Sequence, residues 1–399
     1  MAAAIIVART AGIDGFAMFT LMVTAEMIGI SALNALFAAP PSVLAPGRQT
    51  RVRNLIFGTA ERYQTRAGAG LGVLGISIPL ALGAPLVLSI AFGGYLAAAA
   101  IVQARRATYI ASFRSRPVAA AETLIAATAV ACPLFAGGLD VDVVTLFWAS
   151  QAITHTAALI VLRATSITSF SPYLHRVARS AIISTGVRML SGSLALSASG
   201  RSQAFLIGTL LGGPAVAVFG AANTAAAPIR LVAGSLRGAL LPRLALRHRG
   251  VGPESSRYSR LAVAATTSVL ATGLVLGSAV AAPTLTLVLG EDFQTAERLV
   301  PFAVALALAG FASSVAATVR QSRGESGFCG LVRWVSAATV IPSATLGASL
   351  GGLPGILLAC AATEIATCVA LAIGPIFARE SRCEAVSTLQ RWWSTASIA

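Results

Sequence analysis

The chain has 399 residues, 56% of them apolar and 11% charged, with a mean hydropathy of +0.81. A soluble domain carries roughly 25% charged residues, so this chain could not cover its surface in water. Its net charge of +15 comes from 29 arginines and no lysine; most of these sit in short loops between apolar runs, the signature of membrane topology rather than of a nucleic-acid surface.

The apolar runs are long, continuous and rich in Ala, Leu, Val and Ile, not alternating in segments of about ten as a spanning barrel requires. Helices of about 20 residues are therefore expected. In chain order, a fragment, 1–8, ends at Arg9, and a long run covers 16–44. A basic loop follows with Arg48, Arg51, Arg53, Arg62 and Arg66. The stretch 69–103 is long enough for two helices turning near Gly83–Pro85. Spans five and six fall at 119–135 and 143–162. The spacing places span seven at 180–197 with an apolar continuation to Leu211, span eight at 214–241 and span nine at 261–281. Spans ten, eleven and twelve follow at 299–319, 332–350 and 355–377. This reads as an all-α polytopic membrane protein of about twelve helices. Its expected organisation is a six-helix bundle over 1–165, a cytoplasmic connector at 166–179, a second bundle over 180–378 and a cytoplasmic tail at 379–399.

The loops after even-numbered spans, with the C-terminus, hold 23 arginines. The opposite loops hold Arg9, Arg201 and Arg298 with six acids. Short Arg-rich loops stay in the cytoplasm, which predicts a cell-membrane protein with its C-terminus inside. Six spans per half give both halves one orientation, related by a pseudo-two-fold along the membrane normal. A faint echo at an offset of 200 aligns Gly12 with Gly212 and Phe19 with Phe219. At that offset the counterpart of span seven would begin about 20 residues before Met1. The eight-residue fragment rises only about 12 Å, so the first helix is read as truncated, or the start as lying upstream.

Charges inside spans are costly and face cavities or pathways. Arg188 lies in span seven with Ser184 and Ser191 on its face. Asn223, Arg230 and Arg237, seven apart, make one stripe in span eight, although Arg237 is near enough to the end to snorkel. Gln151 and His155 share a face in span six; Glu26 lies in span two. Glu364 lies in span twelve with Cys360 and Cys368 on its face. Glu122 beside Arg116 reads as an interfacial helix cap. The five cysteines, with no C-x-x-C pair, read as small packing residues. Arginine is a fixed charge whose fork matches phosphate oxygens, so an Arg-lined cavity suits an anion; a cationic drug would call for carboxylates and aromatics. No P-loop, zinc signature or nucleophile elbow is present. The chain is expected to be no enzyme, to need no cofactor or metal, and to draw energy from an ion gradient, the membrane potential or another protein.

Three stretches resemble a known superfamily: ARTAGIDGFAMF at 8–19, the long GGPAVAVFGAANTAAAPIRLVAGSLRGALLPRLA at 212–245, and LTLVLGEDFQTAERLVPFAVALA at 285–307. They are similar to the multidrug, oligosaccharidyl-lipid and polysaccharide exporters, and within them to the polysaccharide and O-antigen flippase branch. The resemblance implies two six-helix bundles around a central cavity with alternating access. The expected partners are a polyprenyl-diphosphate-linked glycan, membrane lipids and the polymerase or ligase that uses the glycan; nucleic acid is not expected. Arg188, Arg230, Arg237 and Asn223 would bind substrate, and Glu26, Glu364 or His155 would couple to an ion. Two other readings stand beside this one: an ion-coupled drug or metabolite antiporter of the same fold, and a non-transporting scaffold or decayed paralogue.

Overall fold

The computed structural model describes residues 2–44, 50–111, 114–136, 142–163, 172–200, 202–229, 283, 285–322 and 325–373. Helix α1 (Ala2–Leu33) is two helices broken at Gly12. A π-helical turn, Asn34–Ala38, joins it to α2 (Ala39–Leu44). The extra residue of a π turn displaces a carbonyl from the regular ladder, and here the Leu36 carbonyl meets a neighbouring helix. Helices α3 (Thr50–Ala81) and α4 (Leu86–Ala111) form a hairpin with the expected turn at Gly83. They approach backbone to backbone: a Cβ on Gly93 would sit 2.5 Å from the Gly72 carbonyl oxygen. Small residues permit this close packing where no hydrophobic force drives helices together. Helix α5 is Ser115–Ala136. Helix α6 (Val143–Val161) starts where the Asp142 carboxylate accepts from the amides of Val144 and Thr145, at 3.2 and 3.1 Å.

The second half begins with α7 (Pro172–Gly200), α8 (Gln203–Leu211) and α9 (Gly213–Ala225). Helix α7 starts eight residues before the expected span, because its basic first turns continue the helix beyond the apolar stretch that hydropathy detects. After a turn at Gly290 come a 3-10 turn, Glu291–Phe293, and a one-turn helix, Gln294–Glu297. Helices α10 (Val300–Ser322) and α11 (Ser326–Ile373) follow, the latter broken at Gly351–Gly352 where spans eleven and twelve were expected to separate. Span nine and the part of span eight from Arg230 onward lie outside the described residues.

The internal echo is written in the backbone. Gly12 has φ 66 and ψ −172; Gly212 has φ 87 and ψ 178. Both conformations disfavour any side chain, and both separate one helix from the next. Phe19 and Phe219 are both buried. Thr20 and Gly220, also 200 apart, touch: a Cβ on Gly220 would overlap Thr20 Oγ1. Equivalent residues of a two-fold meet only at its axis, so the axis passes between α1 and α9. One hydrophobic cluster runs through both halves across this seam, from Phe16 and Trp148 to Phe293, Val340 and Ile356.

Candidate functional site

Each half encloses a buried polar cluster. In the first, the Tyr95 hydroxyl on α4 donates to Glu26 Oε1 on α1 at 2.5 Å. The Tyr95 ring meets His155 edge-on, with centroids 4.9 Å apart, and lies 4.9 Å from the ring of Trp148. His155 and Trp148 are seven apart on α6, two turns along one face. His155 Nδ1 lies 2.8 Å from the carbonyl of Gln151. A carbonyl can only accept, so Nδ1 carries the proton and the neutral ring offers its Nε2 lone pair. Phe92, Phe147 and Phe19 close the cluster around Trp148.

In the second half, Arg333 Nη1 donates to Glu364 Oε2 at 3.1 Å, and Nη2 donates to Ser313 Oγ at 3.1 Å. Ser313 in turn donates to Glu364 Oε2 at 2.6 Å, closing a ring of three groups, all fully buried. In a low dielectric such a pair persists only with its remaining hydrogen bonds made, and here serine supplies one.

Two arginines set the heights of these clusters. Arg105 on α4 donates to Glu61 at 2.9 Å and to the carbonyls of Leu159 and Leu162 at 2.9 and 2.7 Å, at the end of α6. Arg320 on α10 donates to Glu325 at 2.7 Å and to the Leu371 carbonyl at 2.8 Å, at the end of α11. The last carbonyls of a helix lack intrahelical partners and carry partial negative charge, so a guanidinium serves both. His155 is seven residues before Leu162, and Glu364 seven before Leu371. The two clusters therefore occupy matching levels in the two halves.

The predicted site residues divide. Glu26 and His155 come together through Tyr95, while Glu364 is held apart from them in the ring with Arg333. Arg188 is exposed on α7. Arg176, Ser180 and Ser184 are exposed too, at four-residue steps that lead to Arg188 along one side of the helix; Arg179, also exposed, has its guanidinium 5.4 Å from the centre of the Tyr63 ring of α3. The face of α7 that carries Arg179 is pinned to the first half seven residues further on: a Cβ on Gly186 would overlap the Leu36 carbonyl oxygen. Ser191 accepts from the Trp334 indole at 2.9 Å. Asn223 is half-buried on α9, and Arg230 and Arg237 lie outside the described residues.

Three readings need correction. Arg320 is not a loop residue: it is buried, because α10 extends beyond the span hydropathy marks, and Arg333, at the start of span eleven and not singled out there, is buried too. Glu122 pairs with Arg106 at 2.9 Å rather than lying beside Arg116 as a helix cap. Glu364, read as a lone acid in span twelve, is paired with Arg333. Cys132, Cys329, Cys360 and Cys368 are free thiols, and Cys383 lies outside the described residues. Sequence reasoning missed Tyr95, Trp148, Ser313 and Arg333. Trp148 shared the α6 face of Gln151 and His155 and was legible there, whereas nothing local marks Ser313.

At the end of the molecule holding Gly12 and Gly212 the halves are closed on each other. Arg9 Nη2 donates to the Leu287 carbonyl at 2.6 Å. Phe16 meets Phe293 edge-on, with centroids 5.5 Å apart.

No protein-family model matches the sequence, and no curated protein does. Solved structures do. The chain is similar to a multidrug resistance MATE family transporter of the MOP superfamily in an inward-facing conformation, with TM-score 0.74 and 15% identity over 93% of this chain and 92% of that one. It is similar to a point mutant of the Vibrio cholerae MATE transporter VcmN, with TM-score 0.69 and 14% identity over 93% and 90%. It is also similar to the lipid II flippase MurJ in an inward closed conformation, with TM-score 0.66 and 10% identity over 93% and 83%. At these identities the likeness establishes the fold: an all-helical, multi-pass membrane architecture shared by MATE transporters and MurJ.

Proposed function

We propose that the chain is an ion-coupled, alternating-access membrane transporter that flips a polyprenyl-diphosphate-linked oligosaccharide for cell-surface polysaccharide synthesis. The observation that carries this reading is the exposed Arg and Ser face of α7 ending at Arg188. Arg188 lies nine residues beyond Arg179, about 13 Å deeper along the helix. An arginine facing hydrocarbon at mid-span costs about 2.5–3.5 kcal/mol on insertion scales, so the face lines a wet gap between the halves. Successive guanidiniums from Arg176 to Arg188 then form a graded path for a diphosphate from the basic, cytoplasmic end inward. Arg230, Arg237 and Asn223 would continue it. Glu26, with His155 behind Tyr95, would bind the coupling ion. Glu364, neutralised by Arg333, is assigned a structural role.

The test is lipid extraction from a deletion strain, quantifying polyprenyl-diphosphate glycans on the cytoplasmic face. One accumulated species supports the reading and names the glycan. No accumulation, in a strain that demonstrably makes such precursors, contradicts it.

A second reading, an ion-coupled antiporter of drugs or metabolites, is favoured by the aromatic wall around Glu26: Tyr95, Trp148 and Phe92. A carboxylate beside aromatic faces suits a cation. It predicts that loss of the protein changes drug sensitivity and leaves the lipid-linked glycans unchanged.

A further inference from the structure

Two buried donors on the face of α6 that carries His155 have no acceptor. Trp148 is 1% exposed and Gln151 4% exposed, yet Trp148 Nε1 and Gln151 Nε2 make no hydrogen bond. An unmade buried hydrogen bond costs about 1–3 kcal/mol. They lie three residues apart on α6, and His155 follows four residues after Gln151, so all three share a face. Ring contacts turn Trp148 and His155 towards Tyr95. His155 adds what the two donors lack: with Nδ1 committed to the Gln151 carbonyl, its Nε2 is an acceptor. Two donors and one acceptor on one face are the partners a buried water takes, which typically number two to four.

We propose, resting on the coupling role given above to Glu26 and His155, that Trp148, Gln151 and His155 hold one buried water against Tyr95, and that this water joins His155 to the Glu26–Tyr95 pair as a proton-binding site. A proton delivered from the water to His155 Nε2 turns the ring cationic, and one delivered to Glu26 turns its carboxylate neutral. In each case the water takes up a proton arriving from the gap as it gives one up, so one O–H bond forms for the one that breaks and the water itself is unchanged. The charged and titratable groups around α6 fit this. From α1 comes Glu26, and from α4 comes Tyr95. Arg105 of α4 is occupied two turns away with Glu61 and the helix end. From α5, Cys132 donates to the Leu146 carbonyl, and Glu122 is paired with Arg106. A bare metal cation collects oxygen ligands; the two N–H groups here point against sodium.

The test uses the full chain in detergent with ¹⁵N-labelled tryptophan, the Trp148 indole signal being assigned with Trp148→Phe. The expected result is a cross-peak between that indole proton and water, lost in Gln151→Leu. The indole should also shift as pH is lowered, a response lost in His155→Gln. A wild-type indole without the water cross-peak overturns the site, even where Gln151→Leu does not fold. An indole indifferent to pH, or one that moves with added sodium at fixed pH, overturns its proton chemistry. Both signals are read without transport. A protein that gives them yet couples no proton to its cargo upholds the site and contradicts the coupling role. Proton-coupled transport without them contradicts the site.

Discussion

Each half holds a carboxylate inside its helices, Glu364 buried and Glu26 half-buried, and surrounds it differently. In the second half Glu364 faces a guanidinium and a hydroxyl, in a ring that leaves its charge fixed. In the first half Glu26 accepts a hydrogen bond from a phenol, with an imidazole on the other side of that phenol. A duplicated frame thus carries one locked charge and one set among groups that can exchange protons. Repetition of the helix-end clamps by Arg105 and Arg320 makes the contrast sharper, since the scaffolding at the two sites is alike.

Substitutions should separate the halves. The largest effect is expected for Arg333→Ala, which strands Glu364 in the interior. Breaking one side of a buried pair costs about 3–5 kcal/mol, so the yield of folded protein after detergent extraction should collapse. The double variant Arg333→Met/Glu364→Leu should recover most of it, and failure of that rescue would give the ring a role beyond neutralisation. Gly186→Ala comes next. Its methyl would run into the Leu36 carbonyl, and backbone cannot move aside, so the melting temperature should fall clearly; an unchanged value would mean α7 and the π turn separate at no cost. Glu26→Gln should behave in the opposite way to Arg333→Ala. It keeps the shape and an acceptor for Tyr95, so folding should stay within about 1 kcal/mol of wild type while proton-driven transport is lost. A variant with full coupled transport would remove the contrast. The smallest effect is expected for Glu122→Gln, whose ion pair with Arg106 is well exposed. Such pairs are worth about 0–1 kcal/mol, and thermal melts should barely register it.

Most of the frame was legible in the sequence, because a bilayer forces apolar length and basic loops into plain view. The turn at Gly83, the break near Gly351 and the equivalence of Gly12 with Gly212 could all be read there. The π turn at Asn34 could not, since it depends on how α1 meets α7. The candidate site was half legible. Glu26, His155 and Glu364 stand out as polar residues in apolar runs, but their partners do not. Arg333 sits at the very start of the expected span eleven, where an arginine reads as an interfacial residue until α11 is seen to begin at Ser326. Tyr95 reads as an ordinary interfacial or core aromatic until α4 and α1 are placed side by side. Long-range pairings such as Ser313 with Glu364, 51 residues apart, leave no local mark.

The most direct test of the transport role is reconstitution of the chain in vesicles, following the translocation of a fluorescent polyprenyl-diphosphate disaccharide under an imposed proton gradient. Wild-type protein should translocate it, and Arg188→Ala, inserted to the same level, should not. Translocation that survives in Arg188→Ala, or none in vesicles holding inserted wild-type protein, would contradict the cationic path through α7.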